Sequence, residues 1–252
     1  MKEFASWKSY REFVKKIRFS NRYFYDGEVQ NFLASVISTR NPRIKKCNID
    51  NKFWRAQIGF KLKPVIENGK HLHDVQLPFE FDRMIPKRNN AKGGRANPPG
   101  IPHLYLATTE KTALAEVRPW LGSVISLAQF VPTKELSIID CFTDSCFDND
   151  FFSDEPSIES KEKRVWADIN NAFSKPISNE ELDTDYIPTQ IISELFRNHG
   201  YDGIFYKSML GDGLNVVLFN LDNARVVSCE LFKPDKINFS FSKIEDGACS
   251  KI

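Results

Sequence analysis

The chain has 252 residues, of which 41% are hydrophobic and 27% charged, so it can bury a sizeable core, and disorder or a fibrous architecture is excluded. Its 35 basic and 33 acidic residues leave a net charge of +2, which excludes a bulk field aimed at nucleic acid or an anionic membrane; any anion site must be local. No apolar run approaches the roughly 20 residues of a membrane helix, and Met1-Lys2-Glu3-Phe4 opens no apolar leader, so a cytoplasmic protein is expected.

Residues 6–19 carry Trp7, Tyr10, Phe13, Val14 and Ile17 at helical spacing behind Ser6, a plausible N-cap. A second helical pattern follows Asp26 with Val29, Phe32, Leu33, Val36 and Ile37 on one side, and it ends before Asn41-Pro42. Together they predict a helical hairpin over residues 1–45 whose apolar face packs on the core or on a second copy, making a homodimer one expectation. The polar faces hold Lys8, Arg11, Lys15, Lys16, Arg18 and Arg22; a solvated face is the simpler reading, with nucleic-acid contact the alternative.

From Lys52 the pattern turns to short β-type runs at 53–59, 104–107, 123–130 and 136–140, then 203–206 and 215–219. Helices interrupt them: one at 109–118, entered through Thr108 or Thr109 and stopped by Pro119, one at 159–174, and one from Pro188 to His199 closed by Gly200. Strands with inserted helices make an α+β plan. Residues 86–102 and 143–156 read as long loops, and the tail from 236 to 252 as frayed.

Cys47, Cys141, Cys146, Cys229 and Cys249 are too scattered for a disulfide framework and suit reduced thiols. A metal site from Cys141, Cys146, His71 and His73 departs from structural zinc spacing, so no metal is expected. His71 and His73 flank Leu72 and would share a face as strand neighbours, though a solvated loop is the expected setting.

The candidate chemistry lies elsewhere. Gly93-Gly94-Arg95 lets backbone approach an anion while the guanidinium offers two-pronged hydrogen bonds to phosphate, although a surface turn explains the same pattern. Glu116 sits among Ala113, Leu114, Ala115 and Val117, so its carboxylate should lie near a packed sheet; solvation or pairing with Arg118 is the simpler alternative. Tyr105 reads as core or cleft. Arg55, in an otherwise apolar strand, needs a partner or a ligand. Ser208 lacks a Gly-x-Ser-x-Gly elbow, which argues against a hydrolase nucleophile.

These stretches together, Phe53-Trp54-Arg55-Ala56-Gln57, Gly94-Arg95-Ala96-Asn97-Pro98, Leu104-Tyr105-Leu106-Ala107, Ala115-Glu116-Val117-Arg118, Tyr186-Ile187-Pro188-Thr189-Gln190, Tyr201 to Ser208 and Asn215 to Phe219, resemble the RES domain over about residues 50–232. The resemblance matches the name-giving Arg, Glu and Ser to Arg95, Glu116 and Ser208. It makes these with Tyr105 the catalytic set, and Arg55 and Asn215 substrate-binding residues. Where many relatives carry a double Ser, this chain has Lys207-Ser208; the lysine either alters phosphate contacts or points to solvent.

The resemblance further implies an ADP-ribosyltransferase-like mixed two-sheet core with NAD⁺ in its cleft, and cleavage of NAD⁺ by hydrolysis or phosphorolysis, or ADP-ribose transfer to a protein. It also implies a toxin restrained by a helix-turn-helix antitoxin. NAD⁺ is then substrate, phosphate a co-substrate candidate, and no cofactor is needed. A fixed carboxylate near the ribose would stabilise the developing cation. The rivals are a nucleic-acid-targeting toxin and a nucleotide-binding module without turnover.

Overall fold

The computed structural model describes residues 3–19, 22–88, 91–142, 156–175, 183–238 and 240. The expected loop at 143–156 falls almost wholly outside them, as do Cys146, Cys249 and nearly all of the expected tail.

The first two helices are α1 (Ser9–Phe19) and α2 (Gly27–Ser38). Asp26 caps α2, its side chain accepting from the Val29 amide at 2.9 Å, as its position predicts. Helix α1 begins three residues later than the pattern suggested, because Ser6 and Ser9 exchange hydrogen bonds and form a turn of their own. Phe13 stacks on Phe32 with centroids 4.5 Å apart, zipping the pair together.

Among the described residues ten strands follow: β1 (Ile44–Cys47), β2 (Phe53–Ile58), β3 (Lys61–Glu67), β4 (Lys70–Leu77), β5 (Leu104–Ala107), β6 (Ile125–Pro132), β7 (Leu136–Asp140), β8 (Gly203–Lys207), β9 (Leu214–Leu218) and β10 (Ala224–Phe232). Three helices interrupt them: α3 (Glu110–Glu116), α4 (Ile158–Ser174) and α5 (Ile187–Asn198). The fold is α+β. Eight strands form one mixed sheet in the order β1-β7-β8-β9-β5-β2-β6-β10, in which β7 and β8 run parallel and the other pairs antiparallel.

The two-sheet core takes the form of two halves joined at a seam. Between β5 and β2 the register holds a single pair, Trp54 with Ala107, and the strands then part. The sheet curls about this line, so that Phe53 of β2 and Phe205 of β8 come within 6.3 Å. Leu104, Leu106, Phe130, Ile138 and Val216 fill the space between the halves. On the opposite face, Ile139, Ile204, Tyr206 and Val217 pack with Trp166 of α4, Phe196 of α5, Phe13 of α1 and Phe32 of α2. The N-terminal helices are thus continuous with this core. Helix α3 covers the other half of that face, Ala113 packing with Ala56, Ile125 and Leu127.

Strands β3 and β4 form a separate hairpin. The loop expected at His71 and His73 is therefore a strand; both side chains are exposed, and His71 reaches Asp74 at 2.8 Å. The cause is Asn68-Gly69, with φ of 51° and 76°, the backbone that a two-residue hairpin turn demands. The basic face of α1 is largely committed to ion pairs: Lys16 with Asp26 at 2.8 Å, Arg18 with Asp185 at 2.6 Å and Arg11 with Asp168 at 3.6 Å.

Candidate active site

The expected site residues come from six places, and four of them, Arg55, Tyr105, Glu116 and Asn215, line one cleft at the seam. Thr109 caps α3, accepting from the Thr112 amide at 3.2 Å, and so sets the helix direction. The turn after β8 locks onto the same end: the Gly213 amide donates to Thr112 Oγ1 at 3.0 Å and the Leu214 amide to Thr108 Oγ1 at 2.9 Å. A Cβ on Gly213 would lie 2.7 Å from Thr112 Oγ1, so this close approach requires glycine.

Helix α3 is two turns long and ends at Glu116. Glu116 Oε1 accepts from Ser208 Oγ and from Asn215 Nδ2, both at 2.7 Å. Among the described residues Glu116 forms no ion pair with the exposed Arg118. Ser208 is buried and also accepts from the Leu210 amide at 3.1 Å. Its hydroxyl is spent on holding the carboxylate. Lys207 alternates to the exposed side, with its ammonium 5.8 Å from the Phe142 ring, so the departure beside Ser208 lies off the carboxylate.

A cleft of about 180 Å³ opens at Glu116, lined among others by Trp54, Arg55, Tyr105, Tyr206 and Asn215. Arg55 enters it at the seam. Its Nη1 donates to the Tyr105 carbonyl at 3.3 Å, and its buried Nε has no partner among the described residues. Burial, with Arg83 nearby, brings its pKa down to about 10.

Arg95 is half-buried on the 91–101 loop. Burial disfavours its charge, but Tyr206, Tyr186 and Glu116 outweigh this and hold its pKa above the usual value. Its guanidinium therefore shares the electrostatic environment of the carboxylate. Tyr206, the cross-strand partner of Asn215, is pushed up to about 12 by burial, with Glu116 adding to the shift and Arg95 opposing it. Its phenol stays protonated.

Tyr105 divides its duties. Its ring lines the cleft, but its hydroxyl accepts from the Ala96 amide at 3.0 Å and donates to Asn97 Oδ1 at 2.7 Å. Burial raises its pKa, so that hydroxyl is no base at neutral pH.

Among the contributors that carried no expected role are Tyr206, Asn97 and Gln190. Tyr206 was legible in principle, since facing Asn215 across the β8–β9 hairpin puts both on the Glu116 side. Asn97 Nδ2 approaches the carbonyls of Lys92, Pro98 and Ile101 at 3.0, 3.2 and 2.8 Å, which only the folded loop reveals. Gln190 reaches the same loop from α5. Among the described residues there is no cluster of metal-ligating side chains.

No curated protein matches this chain. Among solved structures, the M. tuberculosis MbcT-MbcA toxin-antitoxin complex is similar to it with a TM-score of 0.45 and 14% identity, over 79% of this chain and 92% of that one, a likeness too distant to transfer residue roles. The RES domain matches residues 71–242, a span that includes Arg95, Tyr105, Glu116, Ser208 and Asn215 and leaves out Arg55. Since that span is more than half of the 252 residues, the chain belongs to the RES domain family.

Proposed function

We propose that this protein cleaves the nicotinamide-ribose bond of NAD⁺ and passes the ADP-ribosyl group to water or phosphate. Its cellular role on this reading is that of a toxin that depletes NAD⁺ and is restrained by a helix-turn-helix antitoxin. The observation that carries the proposal is the carboxylate of Glu116 at the cleft, with Oε1 fixed by two donors at 2.7 Å. Among the described residues Oε2 receives no hydrogen bond. One oxygen is held and the other is available to a ribose hydroxyl or to charge developing at C1′.

In the reaction the C1′–N1 bond breaks and its electron pair leaves with nicotinamide, which departs neutral. Positive charge builds on the ribose, and a preoriented anion stabilises it more than it stabilises the ground state. An oxygen of water or phosphate then bonds to C1′, and water loses its proton to solvent. Arg55 and Arg95 provide cationic groups for the pyrophosphate, the ring of Tyr105 a surface for nicotinamide or its ribose, and Ser208 and Asn215 the fixed geometry of Glu116.

Incubating purified protein with NAD⁺, with and without phosphate, and identifying products by mass spectrometry tests this reading. Free nicotinamide with ADP-ribose or its phosphorylated form is expected. Added mass on a protein would redirect the activity to ADP-ribosyl transfer, and intact NAD⁺ under all conditions would refute it.

A further inference from the structure

Arg95 sits on an irregular loop, yet a phosphate-gripping guanidinium must be held still. The loop closes on itself through the Gly94 amide to the Asn97 carbonyl at 2.9 Å and the Gly100 amide to the Ala91 carbonyl at 2.9 Å. Tyr105 and Asn97 fasten it to β5 from one side. From the other side, Gln190 Nε2 donates to the carbonyls of Gly94 and Asn97 at 2.8 and 3.0 Å, the two residues that bracket Arg95 and Ala96.

We infer that Gln190 is a positioning residue for Arg95, acting as an amide clamp that joins α5 to the loop and sets the guanidinium toward the Glu116 cleft. A single NH₂ group has two hydrogens, and here both are directed at the carbonyls flanking the arginine; only the carboxamides of Gln and the shorter Asn offer that fork without a charge. The loop leaves no slack to substitute for the clamp. A Cβ on Gly94 would lie 2.6 Å from Tyr105 Oη and 2.8 Å from Asn97 Oδ1, so backbone and side chains already touch. Helix α5 also packs on α1 and α2, so the clamp ties the site to the N-terminal helices.

The inference rests on the NAD⁺ reading for its activity readout and is tested separately without it. Gln190→Met keeps the length of the side chain and removes both donors. In ligand-free protein, backbone amide exchange in residues 93–100 should accelerate while the rest of α5 keeps its protection. Unchanged exchange would overturn the clamp.

With NAD⁺, Gln190→Met should raise KM about tenfold and keep kcat within about twofold, as expected for loss of one or two hydrogen bonds that support binding. Combined with Arg95→Ala it should add nothing to the effect of Arg95→Ala alone. Independent, multiplying effects would show that Gln190 does not act through Arg95 and would overturn the inference. Gln190→Ala repeats the comparison should the Met variant fold poorly. A wild type that leaves NAD⁺ intact would overturn the functional reading, and with it Arg95's role in gripping substrate, while the exchange result still decides whether the clamp exists.

Discussion

Replacing Glu116 by Gln isolates one quantity. Ser208 Oγ and Asn215 Nδ2 both donate to Oε1 at 2.7 Å, and the carbonyl oxygen of Gln can accept both in the same place. Shape and hydrogen bonds are conserved and only the charge disappears. For a carboxylate about 4 Å from a ribosyl cation, an effective dielectric near 20 gives roughly 4 kcal/mol. Removal of single preorganised charge-stabilising groups elsewhere costs about 3 kcal/mol. Together these place the loss in kcat at roughly a hundredfold to a thousandfold. The assay is NAD⁺ consumption followed by mass spectrometry, with circular dichroism to establish folding and calorimetry to measure NAD⁺ binding. Binding should persist, and toxicity, if the wild type is toxic, should vanish. A variant with a native spectrum and undiminished turnover would refute the electrostatic argument and remove Glu116 from the chemistry.

Arg95→Ala should raise KM for NAD⁺ more than it lowers kcat, because it removes a phosphate grip; an unchanged KM with a collapsed kcat in steady-state kinetics would move Arg95 to the reacting centre. Phe13→Ala, which empties a buried ring position stacked on Phe32, should cost about 3 to 5 kcal/mol in denaturant melts, and a loss below 1 kcal/mol would deny α1 its place in the core. His103 is buried, and burial followed by the charge of Arg197 lowers its pKa to about 4. Its neutral form is the one that folds, so its contribution is complete above the unfolded value near 6.5 and is lost progressively as pH falls toward about 4. His103→Leu should flatten the fall in melting temperature across that window, and an unaltered pH profile would count against the assignment.

Local signals account for the elements that were legible. Asp26, Thr109 and Gly200 mark helix ends by cap chemistry, and β5 and β7 fall at the residues their apolar runs predict. Strand β1 was not legible because Ile44-Lys45-Lys46-Cys47 has no strand pattern; it exists because the edge of β7 is there to pair with. Strand β10 pairs with β6, about a hundred residues earlier, and its half-exposed run gives no strong alternation. The β3–β4 hairpin did carry a signal, Asn68-Gly69, but polar histidines on a strand with no buried face masked it. In the site, residue identities came from motif resemblance, whereas the bonds that join Glu116 to Ser208 and Asn215 span 92 and 99 residues. No window along the chain contains them.

The seam explains why Arg55 stands in an apolar strand, and it yields a test that separates stability from function. Where β5 and β2 part after one pair, the Tyr105 carbonyl loses its ladder partner and the Arg55 guanidinium takes that place at 3.3 Å. This is unfavourable for folding alone, since a buried cation whose Nε has no partner among the described residues costs more desolvation than one long hydrogen bond returns. An anionic ligand in the cleft would offset that cost, so the residue fits a binding role better than a structural one. Arg55→Met keeps the length of the stem and removes the charge. Ligand-free protein should then be as stable as wild type or more so, by on the order of 1 kcal/mol, as when buried ion groups elsewhere are replaced by apolar ones. NAD⁺ affinity should fall at least tenfold, and the rise in melting temperature that saturating NAD⁺ gives the wild type should shrink accordingly. A variant that melts several degrees lower yet binds NAD⁺ normally would show that Arg55 is a structural brace across the seam, with no part in gripping substrate.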